Sequence, residues 1–262
     1  MADSEAYFRP SGDALIPTEH AVSWWTPGMV HGRLLAGLLA REVDRGHVEP
    51  GLRVARLTVD LFRTAPMGPL RLDSERVRDG RRIRVVDVAV RGEIGTVARA
   101  SAVLLREGEE PPGHIPATGP WDAPPPEQLP PPYQEGAHGV QFWRFDEQHQ
   151  LVRNWKGDQR RRSWLRETAP LVAGEELGPL VRAALAADTG SPLAHASDSG
   201  LRYINADFTM LLSRLPVGDV IGLEATAHSG SDGVAVGSAN LYDLAGPIGY
   251  SATTALANPA RD

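Results

Sequence analysis

Asp207 stands at the head of a stretch that alternates from Phe208 to Leu212, with Asn205 and Thr209 expected on its side of a sheet. A carboxylate held within hydrogen-bond reach of a water can act as a general base. The competing reading is a solvated aspartate capping a nearby amide, and the residues alone favour it. Thr226, in Glu224-Ala225-Thr226-Ala227-His228, shares its expected strand face with Glu224 and His228. That is either an ordinary polar stripe or a hydroxyl placed to orient a water. A third place for chemistry is Gly28-Met29-Val30-His31-Gly32, which opens a helix. Backbone amides and the positive end of the helix dipole gather there, as an oxygen gaining negative charge requires. His31 is either a ligand contact or a structural histidine. The run from Trp155 to Arg162 is the densest basic patch. It reads as a phosphate contact or, more commonly for such runs, as a solvated turn.

The chain of 262 residues carries a net charge of −6, which argues against a general nucleic-acid binder. Of its 27 basic residues only Lys156 is lysine, a bias that coding composition explains for most positions. With no cysteine, disulfides, thiolate metal sites and a cysteine nucleophile are excluded. The Gly-Lys of a phosphate-binding loop, a Gly-x-Ser-x-Gly elbow and a His-Glu-x-x-His pair are all missing. Met1 to Arg9 lacks the basic-then-apolar layout of a signal peptide, and no apolar run approaches a membrane span. A cytoplasmic protein is expected.

The elements that must position these residues fall into two similar halves. Ten of the 22 prolines lie between Glu109 and Pro132, a segment expected to be extended and poor at joining a sheet. On either side the sequence repeats itself. Pro66-Met67-Gly68-Pro69-Leu70 matches Pro216-Val217-Gly218-Asp219-Val220, and Gly80 matches Gly230, at a constant offset of 150. Val97 to Ala102 matches Ile248 to Thr253 one residue further out of register. Fixed-period similarity of this kind points to a duplication.

Each half has the same order of elements. In the first, the spacing predicts a helix from Met29 to Asp44, apolar or small nearly all round from Gly32 to Ala40 and therefore buried. Ala55, Leu57, Val59 and Leu61 then alternate as one face of a strand. Ile83 and Val85 give way to Val86, Val88 and Val90, a change of phase that suggests a bulge. Ala98, Ala100 and Ala102 make a face small enough for close approach by a helix. In the second, a helix is predicted from Glu176 to Ala187, with strands near Tyr203–Leu212, Val220–His228, Val234–Leu241 and Ile248–Leu256. One buried helix followed by antiparallel strands is an α+β arrangement, a curved sheet wrapped around a central helix.

Trp25-Thr26-Pro27-Gly28-Met29-Val30-His31-Gly32 resembles the N-terminal hotdog of acyl-CoA thioesterase II-like proteins. Tyr203-Ile204-Asn205-Ala206-Asp207-Phe208-Thr209 resembles the core of their second hotdog. The likeness continues through Pro170 to Glu175, Ala186-Ala187-Asp188 and Leu241-Tyr242-Asp243. It implies a double hotdog, hydrolysis of acyl-CoA thioesters, and neither metal nor organic cofactor. It further implies an Asp, a Thr and a Gln that position the attacking water. Carried over by residue, these fall on Asp207, Thr226 and Thr253. Thr253 departs from the pattern, because one hydroxyl replaces an amide with both donor and acceptor. Gly28, His31 and Gly32 become the expected substrate contacts, and the basic run a contact for coenzyme A phosphates.

The expected units are 1–108, a linker 109–137, and 138–262. Acyl-CoA is the expected partner, carrier-protein thioesters being the open alternative, and a homodimer or higher homo-oligomer is plausible by resemblance. The rival to an enzyme is a hotdog that binds acyl thioesters without turning them over, which the Thr253 departure motivates. A hotdog hydratase is less favoured, since no Asp-x-Asn-Pro-x-His stretch occurs.

Overall fold

The structure, a computed structural model, describes residues 6–132, 139–152 and 161–258. Helix α1 (Gly32–His47) is buried along Arg33 to Ala40, as its leucine- and alanine-rich composition requires. It starts three residues later than the sequence predicts. Met29 and Val30 pair with Ala65 and Pro66 as a two-residue ribbon, which keeps them extended, and His31 then caps the first turn. Helix α2 (Pro179–Asp188) also starts late, at the proline whose fixed φ suits a first helical position. It turns at Thr189 into a short α3 (Gly190–His195).

Most of the remaining chain enters one sheet. Its strands are β1 (Leu52–Leu61), β2 (Arg71–Asp79), β3 (Ile83–Gly92), β4 (Gly95–Arg106), β5 (Val140–Phe145), β6 (Arg162–Glu167), β7 (Tyr203–Asn205), β8 (Asp207–Leu212), β9 (Val220–Ser231), β10 (Val234–Asp243) and β11 (Gly246–Ala257). They lie in the order β2-β3-β4-β1-β8-β11-β10-β9-β6-β5, all antiparallel, with β7 paired to β11. The eight strands from β2 to β9 in that order read the same from either end once the halves are matched, β1 with β8, β4 with β11, β3 with β10 and β2 with β9. The 151-residue spacing that relates Leu52–Leu61 to Tyr203–Leu212 also relates β3 to β10 and β4 to β11.

The inner face carries Leu57, Val59, Val86, Val88, Ala98, Ala100, Ala102, Phe208, Met210 and Leu223, all buried in one core with α1 and α2. The three alanines of β4 give α1 the close approach their size predicts. The bulge predicted in β3 lies instead in its neighbour, where the register slips between Arg76 and Arg78. β3 keeps its phase because Arg84 takes the inward position. Its guanidinium is satisfied there by the His47 carbonyl at 2.6 Å and Asp79 at 2.8 Å. A sequence pattern that counts arginine as outward cannot find such a residue.

Two features extend the second half. β5 and β6 add to the edge beyond β9. Among its described residues the proline-rich segment forms no strand, as its lack of amide donors dictates. It crosses the outer face, where Trp121 stacks on Tyr242 at 4.7 Å and covers Gly222. The Pro124 carbonyl accepts the Trp164 indole N–H at 2.9 Å. Among the described residues no helix is long and apolar enough to cross a membrane.

The local twofold passes through the β1–β8 pairing. Thr58 and Thr209 are equivalent residues, face each other there, and share a hydroxyl hydrogen bond of 3.0 Å. Replacing either with valine should cost about 1 kcal/mol, and the pair should couple by about 0.5–1 kcal/mol in a double-mutant cycle. Urea denaturation of the two single variants and the double variant checks this; strictly additive losses would refute a shared bond.

Candidate active site

The first half meets the second where α1 begins. Between the pairs Asn205–Ala255 and Thr209–Ala252, four steps along β7–β8 oppose three along β11. The extra residue makes a bulge at Ala206–Asp207. There the Asp207 carboxylate takes over from the main chain, accepting the Thr254 N–H and the Thr254 hydroxyl, both at 2.8 Å. The Ala206 carbonyl accepts the Leu61 amide at 2.9 Å. Gly32, the first residue of α1, lies against that same Leu61, whose Cδ1 would be 3.4 Å from a Cβ placed on the glycine. Leu61 therefore links the bulge bearing Asp207 to the positive end of a helix.

Behind this junction is a set of buried polar groups. Arg33, only 3% exposed, pairs with Glu167 at 2.5 Å and donates to the Tyr7 hydroxyl at 2.7 Å. Burial would lower the guanidinium's pKa, but Glu167 and Tyr7 outweigh it and raise it. Burial also raises the Tyr7 phenol. Asp188, at the end of α2, accepts from the Asn205 amide at 2.9 Å. Its carboxyl is raised by burial, against the pull of Asn205 and of Arg33 nearby. None of these groups is legible as a cluster in the sequence, because Tyr7, Arg33, Glu167 and Asp188 come from four separate segments.

The expected site residues fare differently. Gly28 makes a left-handed turn at φ 78° with open space beside it, and Gly32 opens α1 as described. The Met29 and His31 amides are already used, by the Thr26 and Ala21 carbonyls. His31 is the helix cap, its Nδ1 accepting the Arg33 amide at 3.3 Å, and it packs edge-on against Trp24 at 4.7 Å. The sequence therefore overstates the number of free amides at this helix start.

Asp207, Thr226 and Thr253 are not brought together. Thr226 sits at a bulge in β9 and bonds Ser238 at 2.8 Å. With β11 and β10 between β9 and β8, it is roughly 14 Å from Asp207 at ordinary strand spacing. That bulge also turns His228 to the inner face, away from Glu224. Thr253 faces inward, 4% exposed, and bonds His195 at 2.9 Å. The residue that holds Asp207 is its neighbour Thr254. A one-residue slip exchanges the faces of a strand, and the bulge at Ala206 has no sequence signature that would reveal it. In the basic run, 155–160 lie outside the described residues, and Arg162 is held by Glu224 and Asp122, both at 2.9 Å.

The family model described as the acyl-CoA thioesterase N-terminal domain matches residues 21–105, and the one described as its C-terminal domain matches 112–257. No curated protein sequence matches significantly. Among solved structures, a tesB protein of Mycobacterium avium subspecies paratuberculosis is 14% identical, with 96% of each chain covered and a TM-score of 0.70. Acyl-CoA thioesterase II TesB2 of Mycobacterium marinum is 16% identical over 87% of this chain and 90% of that one, TM-score 0.65. A hot dog fold protein of Alicyclobacillus acidocaldarius is 17% identical over 99% and 98%, TM-score 0.72. At such identities the likeness establishes the fold, a hotdog-type antiparallel architecture.

Asp188 makes a stability prediction. Its raised carboxyl keeps a proton in the folded chain at pH values where the unfolded chain has lost it. The wild type should therefore lose stability relative to Asp188→Asn as pH rises from about 4, the unfolded value, through the raised folded value. Urea midpoints of both proteins across that range check the sign; parallel curves would refute it.

Proposed function

Because the chain belongs to the acyl-CoA thioesterase family, with both of that family's domains matched in order, we propose that it opens its substrate at the α1–β8 junction, with Asp207 activating the water. The reaction is hydrolysis of an acyl-CoA thioester to free acid and coenzyme A. We read the architecture as a double hotdog, with units at 1–108 and 138–262 joined by the linker 109–137. The mirrored strand order about Thr58 and Thr209 supports that reading.

The observation that carries the site is the pair of contacts made by Leu61, whose amide bonds the Ala206 carbonyl and whose side chain packs against Gly32, with the Asp207 carboxylate on the outer face of the sheet and the helix N-terminus on the inner one. An ionised carboxylate has about four acceptor positions. Thr254 fills two of Asp207's, which fixes its orientation and leaves others for a water. As the water attacks, the carbonyl oxygen gains negative charge, and the helix dipole and the Gly32 amide favour that charge. The electron pair of the C–S bond leaves with sulfur. His31 shapes this end as a cap, and the open left-handed turn at Gly28 gives the substrate an approach. Thr226, three strands away, takes no part in activating the water.

Thiol release from a panel of acyl-CoAs tests this. Asp207→Asn should lower kcat at least about a hundredfold. Thr254→Val, which removes one of the two bonds to the carboxylate, should lower it about tenfold. Absence of thiol release by the wild type at every chain length would sink the proposal, as would full activity in Asp207→Asn.

A further inference from the structure

A second polar cluster lies on the inner face of the second half. Across β11, β10 and β9, Thr253, Gly237 and His228 stand side by side in register. His195 comes down from α3 onto the middle position, where the glycine leaves room: a Cβ on Gly237 would lie 2.7 Å from the His195 Cε1. Its ring bonds on both sides, Nε2 to the Thr253 hydroxyl at 2.9 Å and Nδ1 to His228 Nδ1 at 2.9 Å. Tyr203 of β7 closes the remaining side, 5.7 Å from the His195 ring and 5.9 Å from that of His228. His195 is 3% exposed. Burial, and then His228, push its imidazole down to about 4, so it is neutral near pH 7. A neutral imidazole has one donor and one acceptor, which this seat between a hydroxyl and a second ring can satisfy.

The partner of His195 on β11 is the residue immediately before Thr254. Successive residues of a strand point to opposite faces of one backbone. A side chain pinned at 253 on the inner face therefore fixes the pitch of residue 254 on the outer face, and Thr254 supplies both bonds that hold the Asp207 carboxylate. We propose that His195, seated over Gly237 and held between Thr253 and His228, is a positioning residue for Asp207, acting through the Thr253–Thr254 step of β11. The inference rests on Asp207 being the group that activates water. Within that reading it assigns the His195 cluster a role that no proton transfer requires.

The two ends of the ring can be tested separately. Glutamine places an amide near the Nε2 position and asparagine near Nδ1. His195→Ala and His195→Asn should each lower kcat about tenfold, the scale of a misplaced catalytic group, with KM and the thermal midpoint little changed. His195→Gln, which still reaches Thr253, should stay within about twofold of wild type. In an Asp207→Asn background, His195→Ala should cause no further loss, a non-additivity that a purely structural role would not produce. The isosteric Thr253→Val should reproduce the loss and serves if His195→Ala does not fold. Wild-type kcat in both His195→Ala and Thr253→Val, or a full additive loss on Asp207→Asn, would overturn the inference. If Asp207→Asn itself stays active, the reading of Asp207 has failed instead.

Discussion

Five consecutive pairs, from Asp207 opposite Asp60 to Leu211 opposite Arg56, join β1 to β8 and make one sheet of two halves. A strand left unpaired here would expose a row of amides and carbonyls in the middle of the molecule, so the seam is obligatory for both halves. It also sets where the helices go. The end of α1, near Asp44, lies against the start of α2 at Gly178, and the start of α1, at Arg33, lies near Asp188 at the end of α2. The helices are thus antiparallel across the local twofold, and the N-terminus of α1 arrives beside a strand of the other half. The junction follows from the seam.

What the junction contains does not follow from the symmetry. Residues 151 positions before Gly237 and Thr253 are Val86 and Ala102, both fully buried and apolar. The equivalent of Asp207 is Arg56. The half that supplies the helix N-terminus has kept a hydrocarbon face where its counterpart carries a histidine seat. One set of buried polar groups lies at this junction, where Arg33, Glu167 and Tyr7 satisfy one another. Such a set adds little net stability over apolar packing, but removing one member strands the others, at a cost of about 3–5 kcal/mol. It holds geometry rather than the fold.

The fold was largely legible because its signals are periodic. Leu57 and Val59, the alanines of β4 and the repeat of Pro66–Leu70 at Pro216–Val220 identify strands, a close-packed face and a duplication without coordinates. The site was legible only in part. Asp207 and the Gly28–Gly32 turn could be named, but their partners depend on single-residue bulges at Ala206 and Thr226 that invert the faces downstream. Alternation assumes constant phase, so it turned His228 outward, while the resemblance carried the third site position to Thr253, one residue before the Thr254 that bonds Asp207. Arg33 and Arg84 were hidden for another reason: a buried arginine is defined by carboxylates and carbonyls distant in sequence.

The proline-rich segment, anchored by Trp121 over Gly222 and Tyr242, has an effect beyond covering that face. Because both halves belong to one polypeptide, closing the seam is a unimolecular event. Dilution cannot separate the halves, and each copy always receives one of each kind. A seam between two identical chains would force every substitution on both sides at once. A tethered seam lets Thr253 and Ala102 diverge independently, with fixed stoichiometry and no need to discriminate between like and unlike partners.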